Sequence, residues 1–416
     1  MLRILNELNL KRIFLLAILI RLLLMPFYFH PDIKTYNYQS SYLKNGVFNI
    51  YTYLADHKNE LPIREDFVYF PLTYFSLGLY QMVAAPLLGN NFQEWLSNAQ
   101  AGAVNKPGVF RYLFILKLPY LILDLLVPFL IIKFLKNRSQ QRNAFILWLF
   151  NPFSLAIIYI FSNVDIIPVI ISLLSILLFQ KRRIFLSAIL LGLAIGFKPY
   201  PILFLPFLLL FIKDFKKIIL MSVTILAVVL TIIVPFFSPA FLHSALVSNL
   251  TTRIAFPGIE IGFGEGLMIG VISLMVLLLA VAVKEKKKLE HVWYYLFAAL
   301  LLMFSTVHFH IQWLLWIMPF LVLFHFFNVK LAKFVWIWIS LSFLIPVLYD
   351  DRSMSISLIS TISSLYNLLP TPFLIVSHFY DALLLQGIIH SIIFAISILV
   401  AISIVVIGKS FRLSGK

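Results

Sequence analysis

Apolar runs alternate with short basic clusters along almost the whole chain, and this alternation limits the fold to one class. Arg3, Lys11 and Arg12 precede the run IFLLAILIRLLLMPFYF. Lys133, Lys136, Arg138 and Arg142 follow an apolar run at 110–132, and Lys181, Arg182 and Arg183 follow one at 166–179. Lys213, Lys216 and Lys217, then Lys284, Lys286, Lys287 and Lys288, then Lys330 and Lys333 follow later runs, and Lys409, Arg412 and Lys416 close the chain. A helix needs about 20 apolar residues to cross a hydrocarbon core of roughly 30 Å. Short loops rich in Lys and Arg stay on the cytoplasmic side. The pattern therefore predicts an all-α, polytopic membrane helix bundle.

Composition agrees. Of 416 residues, 62% are hydrophobic and 12% charged, whereas soluble domains average about 25% charged. A net charge of +16 would suggest nucleic acid in a soluble protein. Here the cations sit between apolar runs, so membrane lipids are the expected surroundings and nucleic acid is not a partner. There is no cysteine, which excludes disulfides, thiolate metal sites and cysteine nucleophiles.

Spans are expected near 13–29, 110–132, 144–160, 166–179, 184–197, 200–212, 218–237, 263–283, 292–306, 311–327, 334–348 and 386–407. That makes about 12 spans (range 11–13), with both termini cytoplasmic. The first run lacks a small-residue cleavage site and reads as a retained span. FVYFPLTYFSLGLYQMVAAPLL, 67–88, is long enough to cross, but crossing alone would place the Lys133–Arg142 cluster outside. It reads as an interfacial or re-entrant helix. The expected organisation is one integral-membrane domain, 1–416. It comprises a first extracytoplasmic loop at 30–109, a core bundle at 110–327 and C-terminal spans at 328–416.

This topology gathers polar residues on one face. Asp32 follows the first span, and Arg64, Glu65, Asp66 and Tyr69 precede the interfacial segment. Asn163 and Asp165 occupy a tight turn, and Lys198 and Tyr200 sit in GFKPYP. Arg253, Glu260 and Glu265 lie in or beside the loop 238–262, and STVHFHIQW carries His308, His310 and Gln312. Ionisable residues clustered at one set of span ends suggest a site. Bland readings stand beside this one. Asp165 could cap the helix that begins at Ile166, and Lys198 could snorkel to headgroups. The His308/His310 pair lacks a third ligand at useful spacing, so no metal is assigned. Asp350-Asp351 reads as a solvated span end. Asp124, inside LILDLLVP, is expected to bond a neighbouring helix.

The set has a chemical logic. A carboxylate can act as general base on a hydroxyl. Lysine, arginine and histidine can neutralise a departing phosphate. Tyr69, Tyr200 and Trp313 can stack on a sugar or line a lipid groove. Transfer of a sugar from a membrane-embedded lipid phosphate would use all of these. A flippase or transporter of a lipid-linked sugar would use the cations without the base. An enzyme acting on a lipid diphosphate, and a subunit with no chemistry, are further alternatives.

The motifs occur in an order that resembles the GT-C superfamily of integral-membrane glycosyltransferases. The likeness is strongest to the polyprenyl-phosphate-mannose-dependent enzymes of the GPI mannosyltransferase I type and their prokaryotic relatives. It rests on HPDIKTY, FVYFPLTYF, WLFNPFSLAIIYIFSNVD, GLAIGFKPYPILFLP and HFHIQWLLWIMP, and covers roughly residues 1–325. The resemblance implies a hexosyltransferase, inverting and metal-independent, with no cofactor. It would move mannose from a polyprenyl-phosphate sugar donor to a lipid or glycan acceptor on the extracytoplasmic side. It implies Asp32 as catalytic base and Lys198, Arg253 and His310 as donor-phosphate ligands. Tyr69, Asp165, Tyr200, His308 and Gln312 become substrate-binding residues. One departure stands out. The family pattern often shows Asp-x-Asp in the first loop, and this chain has Lys34 where the second acid would be. A prokaryotic plasma membrane is the expected location.

Overall fold

A computed structural model describes residues 8–98, 106–247, 258–262, 265–284 and 288–407. Helices dominate it: α1 Leu8–Leu24, α2 Pro31–Ser40, α3 Pro71–Leu88, α4 Val109–Ile131, α5 Arg138–Leu149, α6 Ile166–Gln180, α7 Ile184–Phe197, α8 Phe215–Ile233, α9 Ile269–Ala282, α10 Val292–Thr306, α11 Met318–Phe327, α12 Val329–Val347 and α13 Ala382–Ile407. Short helical turns link them. An antiparallel hairpin, β1 Gly258–Gly262 with β2 Glu265–Met268, precedes α9. Among the described residues, six helical stretches are long and apolar enough to cross a membrane: Val109–Phe134, Arg138–Ile160, Phe215–Phe236, Leu289–Thr306, Val329–Val347 and Ala382–Val406. Five shorter apolar helices accompany them, at Ile166–Gln180, Ile184–Phe197, Tyr200–Leu209, Ile269–Ala282 and Met318–Phe327. The architecture is the expected all-α polytopic bundle.

Burial sorts the helices. All 15 residues of α10 are buried, which makes it the bundle's central post. By contrast α8 exposes Val223, Leu226 and Leu230, and α13 exposes Leu383, Leu384 and Ile402. An exterior of this kind is stable where lipid replaces water as the solvent. The segment at 67–88 enters α3, which buries Tyr74, Leu77, Gln81, Ala84 and Leu88 and leaves Leu79, Val83 and Leu87 outside.

Prolines in α4 prepare cross-helix contacts. Pro119 and Pro128 lack the N–H that would bond the carbonyl four residues back, which leaves the Ile115 and Asp124 carbonyls available. Tyr80 of α3 donates to Ile115 O at 2.5 Å, and Trp148 of α5 donates to Asp124 O at 3.3 Å. The Asp124 carboxylate meets the expected neighbours. Arg21 Nε of α1 lies 2.5 Å away, Trp148 Nε1 2.8 Å and the Tyr159 hydroxyl 2.9 Å. Both charges are fully buried, and such a pair persists only when hydrogen bonds satisfy it.

Candidate functional site

GFKPYP shows how local sequence builds the site. The helix α7 ends at Phe197 because Pro199 pushes the preceding residue out of helical geometry, and Lys198 is extended at φ −156°, ψ 140°. Pro201 stands four residues after Phe197 and has no N–H to give it. The Phe197 carbonyl instead accepts Phe70 N at 3.2 Å and Thr73 Oγ1 at 3.0 Å, both from the start of α3. Those bonds stitch VYFP to FKP and bring Tyr69 over Lys198, whose Nζ lies 4.5 Å from the ring centroid.

Lys198 Nζ donates to Asp165 Oδ2 at 2.7 Å, and Trp316 Nε1 donates to the same oxygen at 2.7 Å. Trp313 and Trp316 also flank the ammonium, at 5.6 and 5.1 Å from their centroids, within range of cation–π attraction. Tyr200 stacks on Trp316 at 4.0 Å and 6°, and Trp313 stacks on Trp316 at 5.4 Å and 12°. Asp165 heads α6 without capping it by its side chain. Its carboxylate is a fully buried counter-ion for Lys198.

The opposite wall begins at HPD. Pro31 opens α2, where a missing N–H costs nothing, and His30 Nδ1 accepts the Asp32 N–H at 3.3 Å. Asp32 thus sits in the first turn of a helix, where the dipole favours a carboxylate. Its Oδ2 accepts from Gln312 Nε2 at 3.2 Å. Gln312 is held in turn by Asn163, whose Nδ2 donates to the Gln312 carbonyl at 2.7 Å. Asn163 follows Ser162, whose φ of 56° is left-handed for a non-glycine residue. Strain of this kind gathers at functional turns.

These walls enclose a cavity of about 410 Å³. Its lining combines the polar side chains of His30, Asp32, Tyr36, Tyr69, Lys198, His310, Gln312 and Asp351 with the apolar ones of Ile202, Leu203, Met303 and Val307. The rings of Trp313, Trp316 and Tyr200 complete it as an aromatic floor. Burial holds the His30 imidazole below its usual range, against the opposing pull of Asp32 and Asp351. The Tyr69 and Tyr36 hydroxyls are raised well above the ordinary phenol range, first by burial and then by the nearby carboxylates. Both remain hydrogen-bond donors. Burial and the Asp32 charge raise the Glu65 carboxyl.

Of the residues singled out in the sequence, Asp32, Tyr69, Lys198, Tyr200, His310 and Gln312 line this one cavity. Asp165 stands behind the wall. His308 is exposed outside it, stacked on Tyr349 at 4.7 Å. Arg253 lies outside the described residues. Lys34, in place of the second family acid, turns away from the cavity. It is fully buried, donates to the Asn98 carbonyl and sits 6.0 Å from the Trp95 ring. Burial pulls its pKa down to about 8. Among the described residues, no group of three or more His, Asp or Glu side chains is placed to hold a metal ion.

Two further residues bear on the site. Asp351 reaches the cavity although DD reads as a solvated end. Lys117, fully buried in α4, donates to the Tyr28 carbonyl at 2.7 Å and the Tyr159 carbonyl at 2.8 Å. It clamps the segments leading to Asp32 and to Asp165. Its signal was present, because a lysine inside an apolar span implies a partner.

Fold and site together define a polytopic all-α membrane protein with an amphipathic cavity at one end of the bundle. Residues 160–256 match the family model described as mannosyltransferase (PIG-M). GPI mannosyltransferase 1 of Candida albicans is 35% identical over 112 residues, which cover 26% of this chain and 28% of that protein. GPI mannosyltransferase 1 of Schizosaccharomyces pombe is 34% identical over 97 residues, 22% of this chain and 26% of that protein. The chain thus spans little more than a quarter of the length of these curated relatives. No solved structure matches. Segment 160–256 is thus similar to the mannosyltransferase (PIG-M) family, and both fungal relatives agree with the GPI mannosyltransferase I-like resemblance. That segment contains the Asp165–Lys198 pair and Tyr200, while Asp32 and Gln312 lie on either side of it.

Proposed function

We propose that this chain is a membrane mannosyltransferase that moves a hexose from a polyprenyl-phosphate donor to a hydroxyl of a lipid or glycan acceptor. The observation that carries this reading is the convergence of Asp32, Lys198, His310 and the aromatic floor on one cavity, from segments far apart in sequence. The volume falls within the range of about 300–1,000 Å³ common to small-molecule sites. Its polar side chains suit a sugar phosphate and its apolar ones the first part of a lipid chain.

In this reading Asp32 takes the proton from the acceptor hydroxyl as that oxygen attacks the anomeric carbon. The bond from that carbon to the phosphate oxygen breaks, and its electron pair leaves with the lipid phosphate. Lys198 and His310 meet the growing charge on that phosphate, where a preorganised cation acts most strongly. A single displacement inverts the anomeric configuration, and no metal is required. Gln312 orients Asp32, and the rings of Tyr200, Trp313 and Trp316 support the sugar. We place the reaction on the extracytoplasmic face. Both relatives are fungal, so nothing in the comparisons favours a prokaryotic membrane.

The test is transfer by the reconstituted full chain. It is given radiolabelled polyprenyl-phosphate hexoses and a total-lipid acceptor extract, with and without chelator, beside Asp32→Asn. Label should move from the mannose donor to a new product. The chelator should leave transfer intact, and Asp32→Asn should reduce it by two or more orders of magnitude. Tight donor binding with no transfer would overturn this reading in favour of a carrier of lipid-linked sugar.

A further inference from the structure

The segment between α12 and α13 lies beyond both the family-model match and the sequence resemblance, yet it closes one side of the cavity. Three ties fix its beginning. Gln386 Nε2 donates to the Leu348 carbonyl at 2.7 Å, the Tyr349 hydroxyl donates to the Phe309 carbonyl at 3.1 Å, and Thr371 Oγ1 donates to Asp350 Oδ1 at 3.1 Å. Two more ties bind it to the segment leading into HPD. Phe29 N donates to the Leu358 carbonyl at 3.0 Å, and Thr361 Oγ1 donates to the Phe27 carbonyl. The segment that carries Asp351 is therefore fastened to the segment that carries Asp32.

The two adjacent acids face different surroundings. Asp350 holds Thr371 and is absent from the cavity lining, whereas Asp351 and Ser353 line it. Asp351 Oδ1 accepts the Ser353 N–H at 2.8 Å, which fixes the side chain and leaves Oδ2 for another donor. Lys198, paired with Asp165, is the cation assigned to the phosphate. Asp32 and Asp351 add carboxylate acceptors to the same cavity. Gln312 Oε1, buried in the same wall, adds an acceptor with no hydrogen-bond partner among the described residues. Ionised carboxylates and amide oxygens only accept, so such a wall calls for a ligand rich in donors. Sugar hydroxyls supply them.

We propose that Asp351, which lines the same cavity as Asp32, is a substrate-binding residue that accepts hydrogen bonds from sugar hydroxyls and helps to select the sugar. This rests on the transferase reading. The hydroxyls belong either to the donor hexose or to a glycan acceptor, and kinetics separates the two.

The experiment measures donor and acceptor KM and kcat for the reconstituted full chain, using radiolabelled polyprenyl-phosphate mannose and a synthetic glycolipid acceptor. The variants are Asp351→Asn and Ser353→Leu. Asparagine keeps an oxygen for the Ser353 N–H and removes the charge. We expect Asp351→Asn to lower kcat/KM by about tenfold or more, as for loss of a hydrogen bond to a charged group. A raised donor KM assigns the hydroxyls to the donor sugar, and a raised acceptor KM assigns them to the acceptor. If Asp351→Asn fails to fold, Ser353→Leu decides, since it crowds the same wall and leaves the main-chain cap intact. Wild-type transfer with kcat/KM within twofold in every folded variant overturns the inference alone. Absence of transfer by the wild type overturns the transferase reading and this inference with it.

Discussion

Lys198 and Asp165 stand 33 residues apart in sequence, at the end of α7 and the start of α6, and meet at 2.7 Å. The carboxylate is fully buried and the ammonium 13% exposed. Two adjacent antiparallel helices thus deliver one charge each to the same end of the bundle. The pairing changes what a lysine substitution does. Lys198→Ala strands a buried carboxylate, and breaking one side of a buried pair costs about 3–5 kcal/mol. We expect the single variant to lose both thermal stability in detergent and transfer. The double variant Lys198→Met/Asp165→Asn should recover most of the stability and none of the transfer. Recovery of transfer as well would reduce Lys198 to a counter-ion.

Gln312 makes a separable contribution. Its amide donates to Asp32 Oδ2 at 3.2 Å and lies 3.3 Å from His30 Nε2. Hydrogen bonds to charged groups are worth about 1.5–3 kcal/mol. Gln312→Leu should therefore lower kcat by roughly ten- to a hundredfold, beside any rise in KM from the loss of Oε1 as an acceptor. A change confined to donor KM would move Gln312 from orienting Asp32 to binding substrate.

The helix that presents Lys198 is held by a close approach at Gly196. A methyl group there would meet Ile232 Cδ1 of α8 at 2.6 Å and Leu72 Cδ1 of α3 at 2.9 Å. Both atoms are the far ends of flexible, half-buried side chains, so the cost falls at the low end of the about 1–3 kcal/mol for overpacking. Gly196→Ala should lower the melting temperature and shift the end of α7. Adding Ile232→Val removes the nearest atom and should restore part of the loss. No effect of the second substitution would show that the clash is not the cause.

His30 predicts a pH dependence of stability. Burial lowers its pKa in the folded protein below the ordinary imidazole value of 6.5. Below pH 6.5 the unfolded chain binds the proton more readily than the folded one, so stability falls as pH falls from 6.5 towards the folded pKa. The limit for one group is about 1.4 kcal/mol per pH unit. Melting measured between pH 5 and pH 8 should show this slope, and His30→Gln should flatten it. An unchanged slope in the variant would assign the effect to another group.

Much of this was legible in the order of residues. Asp32, Lys198, His310 and Gln312 could be assigned to one face because short basic clusters set the direction of each crossing. GFKPYP announced a helix break because two prolines remove hydrogen-bond donors. The two acids at the end of α12 look alike in sequence; Asp350 is exposed and Asp351 half-buried, and only the folding back of the chain beyond them brings Asp351 to the cavity. Asp165 read as a cap, because a turn before a helix is where an aspartate caps, and nothing local shows the lysine 33 residues on.

By itself, the sequence determined the all-α class, the apolar character of the runs and the types of side chain available at their ends, since these follow from hydrophobicity and backbone chemistry within a few residues. Only the tertiary structure decided which of those side chains share a cavity, which charge neutralises which, and that the C-terminal segment closes the wall. Those outcomes depend on contacts between residues tens to hundreds of positions apart, and packing selects them only when the whole bundle is assembled.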